Sequence, residues 1–544
     1  MTHTKKLLSI TNLKKYFPVA KSSIFQRKQL YVRANEDITL DIYEGETIGI
    51  VGESGCGKST LGRVLLQLYP QTAGTTMYYG VTLDEVAPDY MHDTLKNIDK
   101  YRKKLQKAIE KANELEKQVQ EVGEDKADFY LLQNRNLARG EQQTCLDNIV
   151  KIMGGFGLID EHDQGRNLLL KIYEQNVRRN RVVAKRRKVE IEIDFIGQKE
   201  DAAKAKSEGK LRRLNAELQA YDEELRPIDA ALDDLKAELN TLKDRYAENE
   251  DFMKYEAMLD DGIDLSRLRY NEMRVLRKDL QIIFQDPYSS LNPRFTTGQI
   301  IEEGLVTHNF YKHGSAKMRE HIIDTMRKCG LQDYMLFRYP HQFSGGQRQR
   351  ISIARALAVN PKFVVCDECV SALDVSIQLQ IINLLQELKE RENLTYMFIS
   401  HDLSVVRYIS DRICVMYLGS VVELTDSETM FEDPRHPYTV ALLSSIPTTD
   451  VESLSKERIL LEGNIPSPIR PPDGCKFHTR CYMACEKCKR VPPELREIEP
   501  GHFVACHFPE RKIDKDGNYL FELPKMERKS TRGQDTEEPK AAQQ

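Results

Sequence analysis

Residues 52–59 read Gly52-Glu53-Ser54-Gly55-Cys56-Gly57-Lys58-Ser59, which fits G-x-x-x-x-G-K-[ST]. Its context gives the match weight. Upstream, Thr47-Ile48-Gly49-Ile50-Val51 is a short apolar run, and Ile38, Leu40 and Ile42 alternate with polar residues. Both patterns predict strands. Downstream, Leu61, Val64, Leu65 and Leu68 recur at helical spacing. Strand, glycine loop and helix in that order make a phosphate cradle. The glycines let backbone N–H groups turn inward, and the helix N-terminus adds positive potential. Gly52, Ser54, Gly55, Cys56, Gly57 and Thr60 are thus candidates for lining the phosphates of ATP. Lys58 is the candidate for the β- and γ-phosphates, and Ser59 for Mg²⁺.

Further along, Phe363-Val364-Val365-Cys366 and Tyr396-Met397-Phe398-Ile399 read as buried strands. Ile381, Leu384, Leu385 and Leu388 mark a helix between them. Alternating strands and helices predict an α/β fold with a mainly parallel sheet. The first of these strands ends in Asp367 and Glu368. With a phosphate loop present, Asp367 becomes a candidate for holding Mg²⁺ and Glu368 for polarising the attacking water.

Phe343-Ser344-Gly345-Gly346-Gln347-Arg348-Gln349-Arg350 precedes an alanine-rich run. It resembles the signature motif of ABC ATPases. Other motifs of that family stand in order around it: Gln285 in Ile283-Phe284-Gln285-Asp286-Pro287 matches the Q-loop, Asp374 in Ser371-Ala372-Leu373-Asp374 the D-loop, and His401 after Ser400 the switch histidine. Phe17, or its neighbour Tyr16, is the candidate for stacking on adenine. Cys369 replaces the proline that usually follows the catalytic glutamate. The resemblance implies an α/β P-loop domain with an antiparallel β subdomain and a helical subdomain. It also implies two cassettes facing head to tail, with Ser344, Gly345, Gly346 and Gln347 completing the partner's ATP site.

Within that family, Asp286-Pro287-Tyr288-Ser289-Ser290-Leu291-Asn292-Pro293-Arg294 and Tyr339-Pro340-His341-Gln342-Phe343 look like the oligopeptide/dipeptide importer ATPases. His436-Pro437-Tyr438-Thr439 resembles the start of their C-terminal extension. Gln347 and the run from His401 to Val406 favour the F-type subunit. The resemblance implies a D-type ATPase partner forming a heterodimer, two transmembrane permeases and an extracytoplasmic solute-binding protein. It places the chain peripherally on the cytoplasmic face of the cell membrane. Nickel or another small solute is an alternative cargo. Cys475, Cys481, Cys488 and Cys506 are spaced C-x5-C-x6-C-x17-C, and four thiolates can hold a [4Fe–4S] cluster or one Zn²⁺. The pattern is similar to the family's cluster-binding spacing. Cys485 is an extra thiol.

The family pattern breaks at residues 81–262, which intervene between Gly80 and Ile263. Ile98, Tyr101, Leu105, Ala108, Ala112, Leu115, Val119 and Val122 form a heptad seam, and a second runs from Leu211 to Tyr246. Two seams flanking an irregular region predict one antiparallel coiled-coil hairpin, with Pro227 kinking or dividing its second helix. Two long helices packed on something else is the plainer alternative. The position predicts a hairpin tip in the β subdomain, where insertion is cheap. The run Arg178 to Lys188 could meet anionic lipid, nucleic acid or a protein partner, or be a solvated helix face. The expected organisation is an ATPase domain at 1–80 and 263–434, the helical insert at 81–262, a cysteine-bearing extension at 435–510 and a disordered tail at 511–544.

Composition excludes little. Charged residues are 30% and net charge is −4, so no basic excess points to nucleic acid. No run of about 18 apolar residues predicts a membrane span. The N-terminus lacks a signal-peptide pattern, and 11 cysteines then argue for a reducing compartment. The competing class is a soluble coiled-coil ABC ATPase acting on nucleic acid or ribosomes. In SMC-type ATPases, however, the coiled coil follows the Q-loop, whereas this insert precedes Gln285.

Overall fold

Two sheets carry the molecule. Their strands are β1 (Lys6–Pro18), β2 (Tyr31–Tyr43), β3 (Thr47–Val51), β4 (Ala73–Tyr78), β5 (Ile263–Asp264), β6 (Leu280–Ile283), β7 (Phe363–Asp367), β8 (Thr395–Ile399), β9 (Arg412–Tyr417), β10 (Ser420–Asp426), β11 (Arg496–Glu499) and β12 (His502–Val504). The computed structural model describes residues 5–20, 30–123, 127, 129–160, 162–198, 207–445, 459, 461 and 463–509. The tail expected at 511–544 lies outside them.

The larger sheet has the order β11-β12-β10-β9-β3-β8-β7-β6, parallel from β9 to β6. Its central strands lack polar alternation because both faces are covered. Val365 joins the apolar cluster that includes Leu61 and Leu65, on the side of the small sheet. Val364 and Cys366 join the opposite cluster, with Ile351 and Ile381. The smaller sheet is antiparallel, in the order β2-β1-β4-β5. The loop after β3 leads into α1 (Lys58–Leu65), so the glycine stretch sits at the carboxyl end of a central strand.

The segment expected as a separate extension is partly annexed by the core. β12 pairs with β10 through Glu423↔Val504 and Leu424↔Phe503, so residues 496–504 lengthen the main sheet. His502 Nε2 lies 2.9 Å from the Glu423 carboxylate, and both side chains are buried. Glu423 also accepts the backbone N–H groups of Arg435 (2.6 Å) and His436 (2.9 Å). The expected boundary near 435 is therefore not a break in the packing.

Residues 81–262 leave after β4 and return at β5, which pair through Met77↔Asp264 and Tyr78↔Ile263. Four long helices fill the insert: α2 (Ile98–Val122), α3 (Phe129–Met153), α4 (Asp163–Gly197) and α5 (Glu208–Asp244). The two seams do not pair with each other, contrary to the single hairpin expected. α2 packs on α3, and α4 on α5. The pairs are antiparallel: Lys111 meets Glu141 while Arg139 meets Glu116. Likewise Arg179 meets Asp229, Arg186 meets Asp222 and Lys210 meets Glu192. Short connections bring sequence neighbours together first. The middle read as irregular because arginines occupy part of the α4 seam. Val182, Val189 and Ile196 are buried at seven-residue spacing, with Arg179 and Arg186 between their turns.

Those pairs also account for much of the basic run. Arg178, Arg179, Arg186 and Arg187 all have acidic partners inside the insert. α5 runs unbroken through Pro227. Proline removes one helical hydrogen bond, but the ion pairs at Asp222 and Asp229 hold the helix to α4 on both sides of it.

The insert is packed at its root and at its far end. Tyr90 and Leu95 share the apolar cluster of Leu7, Tyr78 and Ile263, and the Tyr90 hydroxyl accepts the Asp264 N–H at 3.1 Å. At the end of α4, Glu192 pairs with Lys312, and Asp194 with Lys317 at 3.1 Å. Deleting 81–262 and joining the ends should keep ATP binding by the loop at 52–59. It should lower the thermal midpoint by ~4 °C or more, because the root uncovers apolar surface. Calorimetry with and without MgATP reads both; loss of the cooperative transition would make the insert part of the core.

Candidate nucleotide and cysteine sites

The glycine loop is pressed between two backbone segments. Gly57 has φ +101° and faces the Ala34 carbonyl, which a Cβ would meet at 2.1 Å; at Gly52 a Cβ would meet the Met416 carbonyl at 2.2 Å. No other residue fits either place. Asn35 Nδ2 donates to the Gly57 carbonyl at 3.1 Å. The Lys58 ammonium turns back into the loop, donating to the carbonyls of Gly52 (2.7 Å) and Glu53 (3.1 Å). Ser54 and Gly55 are exposed at the mouth, Cys56 is buried, and Thr60 is half-buried in the first turn of α1.

Ser59 Oγ donates to Asp367 Oδ1 at 2.5 Å, and Arg63 meets the other carboxylate oxygen at 3.2 Å. Hydroxyl and carboxylate oxygens side by side are a donor set suited to Mg²⁺. Glu368 follows with φ +49°, a left-handed conformation for a residue with a side chain. Its backbone N–H donates to the Ile399 carbonyl at 3.0 Å. Gln285 Nε2 donates to the Glu368 carboxylate at 2.8 Å, and His401 Nδ1 lies 3.9 Å from the same oxygen. Three residues far apart in sequence thus meet at one carboxylate. Cys369, in the proline's place, is buried in the apolar cluster that holds Val364 and Cys366.

Ser344 caps helix α6 (Gly345–Leu357) in a reciprocal box with Gln347. Ser344 and Gly345 are exposed, while Gly346 is pressed on Ile377, where a Cβ would meet its methyl at 2.6 Å. Asp374 stands at the N-cap position of helix α7 (Val375–Glu392) without a side-chain capping bond, and Val375 is 73% exposed. Among the described residues, the signature segment and Asp374 make no hydrogen bond to the residues around Lys58. The two adenine candidates differ. The Tyr16 hydroxyl is committed to Glu36 at 2.9 Å. Phe17 packs edge-on to Tyr69, with centroids 5.5 Å apart, beneath the Lys15 ammonium. Burial alone would raise the Glu36 carboxyl, but Lys476 and Arg33 beside it bring it below its ordinary value.

Cys475, Cys481, Cys488 and Cys506 line one small cavity together with Phe477 and Met483. Backbone N–H groups of Met483 and Phe508 donate to the Cys481 and Cys506 sulfurs, each at 3.4 Å. Burial pushes the Cys475 thiol up to about 12, with the neighbouring thiols adding to it. Cys485 stands 3.7 Å from Cys488, sulfur to sulfur. Among the described residues no group of three or more His, Cys, Asp or Glu side chains has metal-holding geometry.

Sequence reasoning missed the contacts of Glu53. This residue fills a variable position of the loop motif, and its carboxylate is forked by Arg480 at 2.6 and 2.9 Å. Its N–H donates to the Tyr438 hydroxyl at 2.8 Å. Arg480 adjoins Cys481, and that adjacency was the one signal available.

The ABC transporter family profile matches residues 35–215 and 239–371, and the oligopeptide/dipeptide transporter C-terminal region matches 422–488. The oligopeptide transport ATP-binding protein AppF of Bacillus subtilis is 54% identical over 248 residues, covering 45% of this chain and 75% of that protein. A putative peptide import ATP-binding protein of Brucella ovis, BOV_A0347, is 52% identical over 247 residues, 45% of this chain and 77% of its own. The dimeric post-hydrolysis structure of the cassette MJ0796 aligns at 17% identity with a TM-score of 0.39, over 77% of this chain and 99% of that one. With a phosphate loop, an acid pair and a signature helix on one α/β sheet, and with relatives of this identity, the chain belongs to the ABC transporter ATPases that carry an oligopeptide/dipeptide-type C-terminal region.

Proposed function

We propose that this chain is the ATP-hydrolysing subunit of an importer of oligopeptides or dipeptides, peripheral on the cytoplasmic face of a membrane. The observation that carries it is the joint match of cassette and C-terminal region, with relatives above half identity named as an oligopeptide transport ATP-binding protein and a putative peptide import ATP-binding protein. None of the described helices is long and apolar enough to cross a membrane. Translocation then needs two permeases, and a solute-binding protein to select cargo. The peptide-import relatives favour this over action on nucleic acid or ribosomes, and the paired arginines of the insert agree.

In this reading the loop at 52–59 holds the ATP phosphates, and Lys58 gives up its carbonyl partners for the β- and γ-phosphates. Ser59 and Asp367 would hold Mg²⁺, which neutralises phosphate charge when bound. Glu368 takes a proton from the attacking water. Gln285 and His401, already at its carboxylate, orient the water and the γ-phosphate. Phe17 offers a ring to adenine. Ser344, Gly345 and Asp374 are exposed, with Gly346 and Gln347 next to them in the signature segment, and the five would close on the site of a D-type ATPase partner, giving a heterodimer. The domain limits follow the same reading, with 81–262 as the inserted helical arm.

Four thiols around one cavity fit a four-thiolate centre by donor chemistry, and the N–H groups aimed at two sulfurs suit thiolates. Cys475, Cys481, Cys488 and Cys506 would hold a [4Fe–4S] cluster, or Zn²⁺ as the alternative. The centre would fasten a segment with little apolar core.

Three outcomes are expected. Glu368→Gln should cut phosphate release below about a tenth of wild type while MgATP stays bound; faster turnover would remove Glu368 from its role. Cys481→Ser with Cys488→Ser should abolish the iron content and visible absorbance of anaerobically purified protein, and a colourless, iron-free and zinc-free wild type would end the metal reading. Affinity capture from detergent-solubilised membranes should bring down two permeases and a second ABC ATPase. Ribosomal proteins or nucleic acid without permeases would overturn the importer, and a nickel-binding partner would change the cargo.

A further inference from the structure

The stretch between the first two cavity cysteines, Cys475 to Cys481, lies against the nucleotide site. Arg480 is nearly enclosed, with its side chain 6% exposed, and it forks both oxygens of Glu53 at 2.6 and 2.9 Å. Planar two-point contact fixes a carboxylate in direction as well as distance. The backbone N–H of Glu53 is taken at the same time by the Tyr438 hydroxyl at 2.8 Å. One phosphate-loop residue is thus held by side chain and main chain, both from residues beyond 435.

Lys476, on the same stretch, grips the other end. Its ammonium donates to the Leu418 carbonyl (3.0 Å) and Ser420 Oγ (2.6 Å) and pairs with Glu36 at 3.2 Å. Glu36 in turn holds the Tyr16 hydroxyl, beside Phe17. Between the two cations, Phe477 is buried against Tyr417 and Tyr438, with ring centroids 5.2 and 5.3 Å apart. The stretch cannot shift without pulling on Glu53, Glu36 or that aromatic packing.

We propose that Arg480 is a positioning residue for ATP binding, holding the entry of the phosphate loop through Glu53 and tying the loop's shape to the cysteine-bearing extension. The loop must present its N–H groups in one geometry, and Glu53 stands directly after Gly52, at the first bend. A loosened Glu53 lets that bend relax, so ATP must reorder it on binding and loses affinity. The residues that deprotonate and orient the attacking water are untouched, so the turnover rate at saturation stays.

The test uses the full-length chain with MgATP, reading Kd by titration and KM and kcat by phosphate release, with a melting curve for each variant. Arg480→Ala and Glu53→Gln should each raise Kd and KM about tenfold, the size of one lost charge-assisted pair at a partly buried site, and change kcat less than about twofold. The double variant should be no worse than either single one, because both remove the same pair. Arg480→Lys should recover part of the loss. If Arg480→Ala unfolds the extension, Glu53→Gln still decides, since it changes no residue of that segment and keeps an amide oxygen facing the guanidinium. Unchanged Kd and KM in Glu53→Gln would overturn the proposal, as would strictly additive losses in the double variant.

Discussion

Two carbonyl oxygens hold the phosphate loop in place. That of Ala34 stands against Gly57 and that of Met416 against Gly52, each nearer than any side chain would permit. Ala34 belongs to the small sheet and Met416 to the large one. The loop is therefore the wedge at which the two sheets meet. Around it gather Ser59 with Asp367, Glu368 with Gln285 and His401, and Glu53 with Arg480. At Asp367 and Arg480, whose side chains are buried, polar pairs that would contribute little on an exposed surface are strengthened because competing water is removed.

Glu368 combines strain with coordination. It leaves its strand with a positive φ, so the chain turns sharply where the carboxylate must face the cleft. The N–H bond to Ile399 and the Gln285 amide offset that local cost. The same turn buries Cys369, and a small thiol fills that space as the usual proline would.

What could be read in the sequence follows from what each signal depends on. The α/β sheet was legible because Thr47–Val51, Phe363–Cys366 and Tyr396–Ile399 are short apolar runs buried on both faces. The phosphate loop and acid pair were legible because their chemistry needs residue types at fixed spacing. The helical pairing inside the insert was not, because Arg179 and Arg186 hide the apolar repeat of α4 and their acidic partners lie on α5. A heptad written partly in ion pairs is invisible to a search for apolar residues. The Glu53–Arg480 contact was hidden for a different reason: its partners lie 427 positions apart, and no local pattern links them.

The return of the insert beside its point of departure bears on the order in which the chain can fold. β5 cannot pair with β4 until the whole insert has been synthesised, and the large sheet waits longer still for β7 to β9. The insert's two main helix pairings, α2 on α3 and α4 on α5, are between helices adjacent in sequence, which form fast. Once its helices collapse, Tyr78 and Ile263 are brought together, and the long loop between them closes at the entropic cost of a much shorter one. By this topology the arm would serve as a splint on which the small sheet is completed.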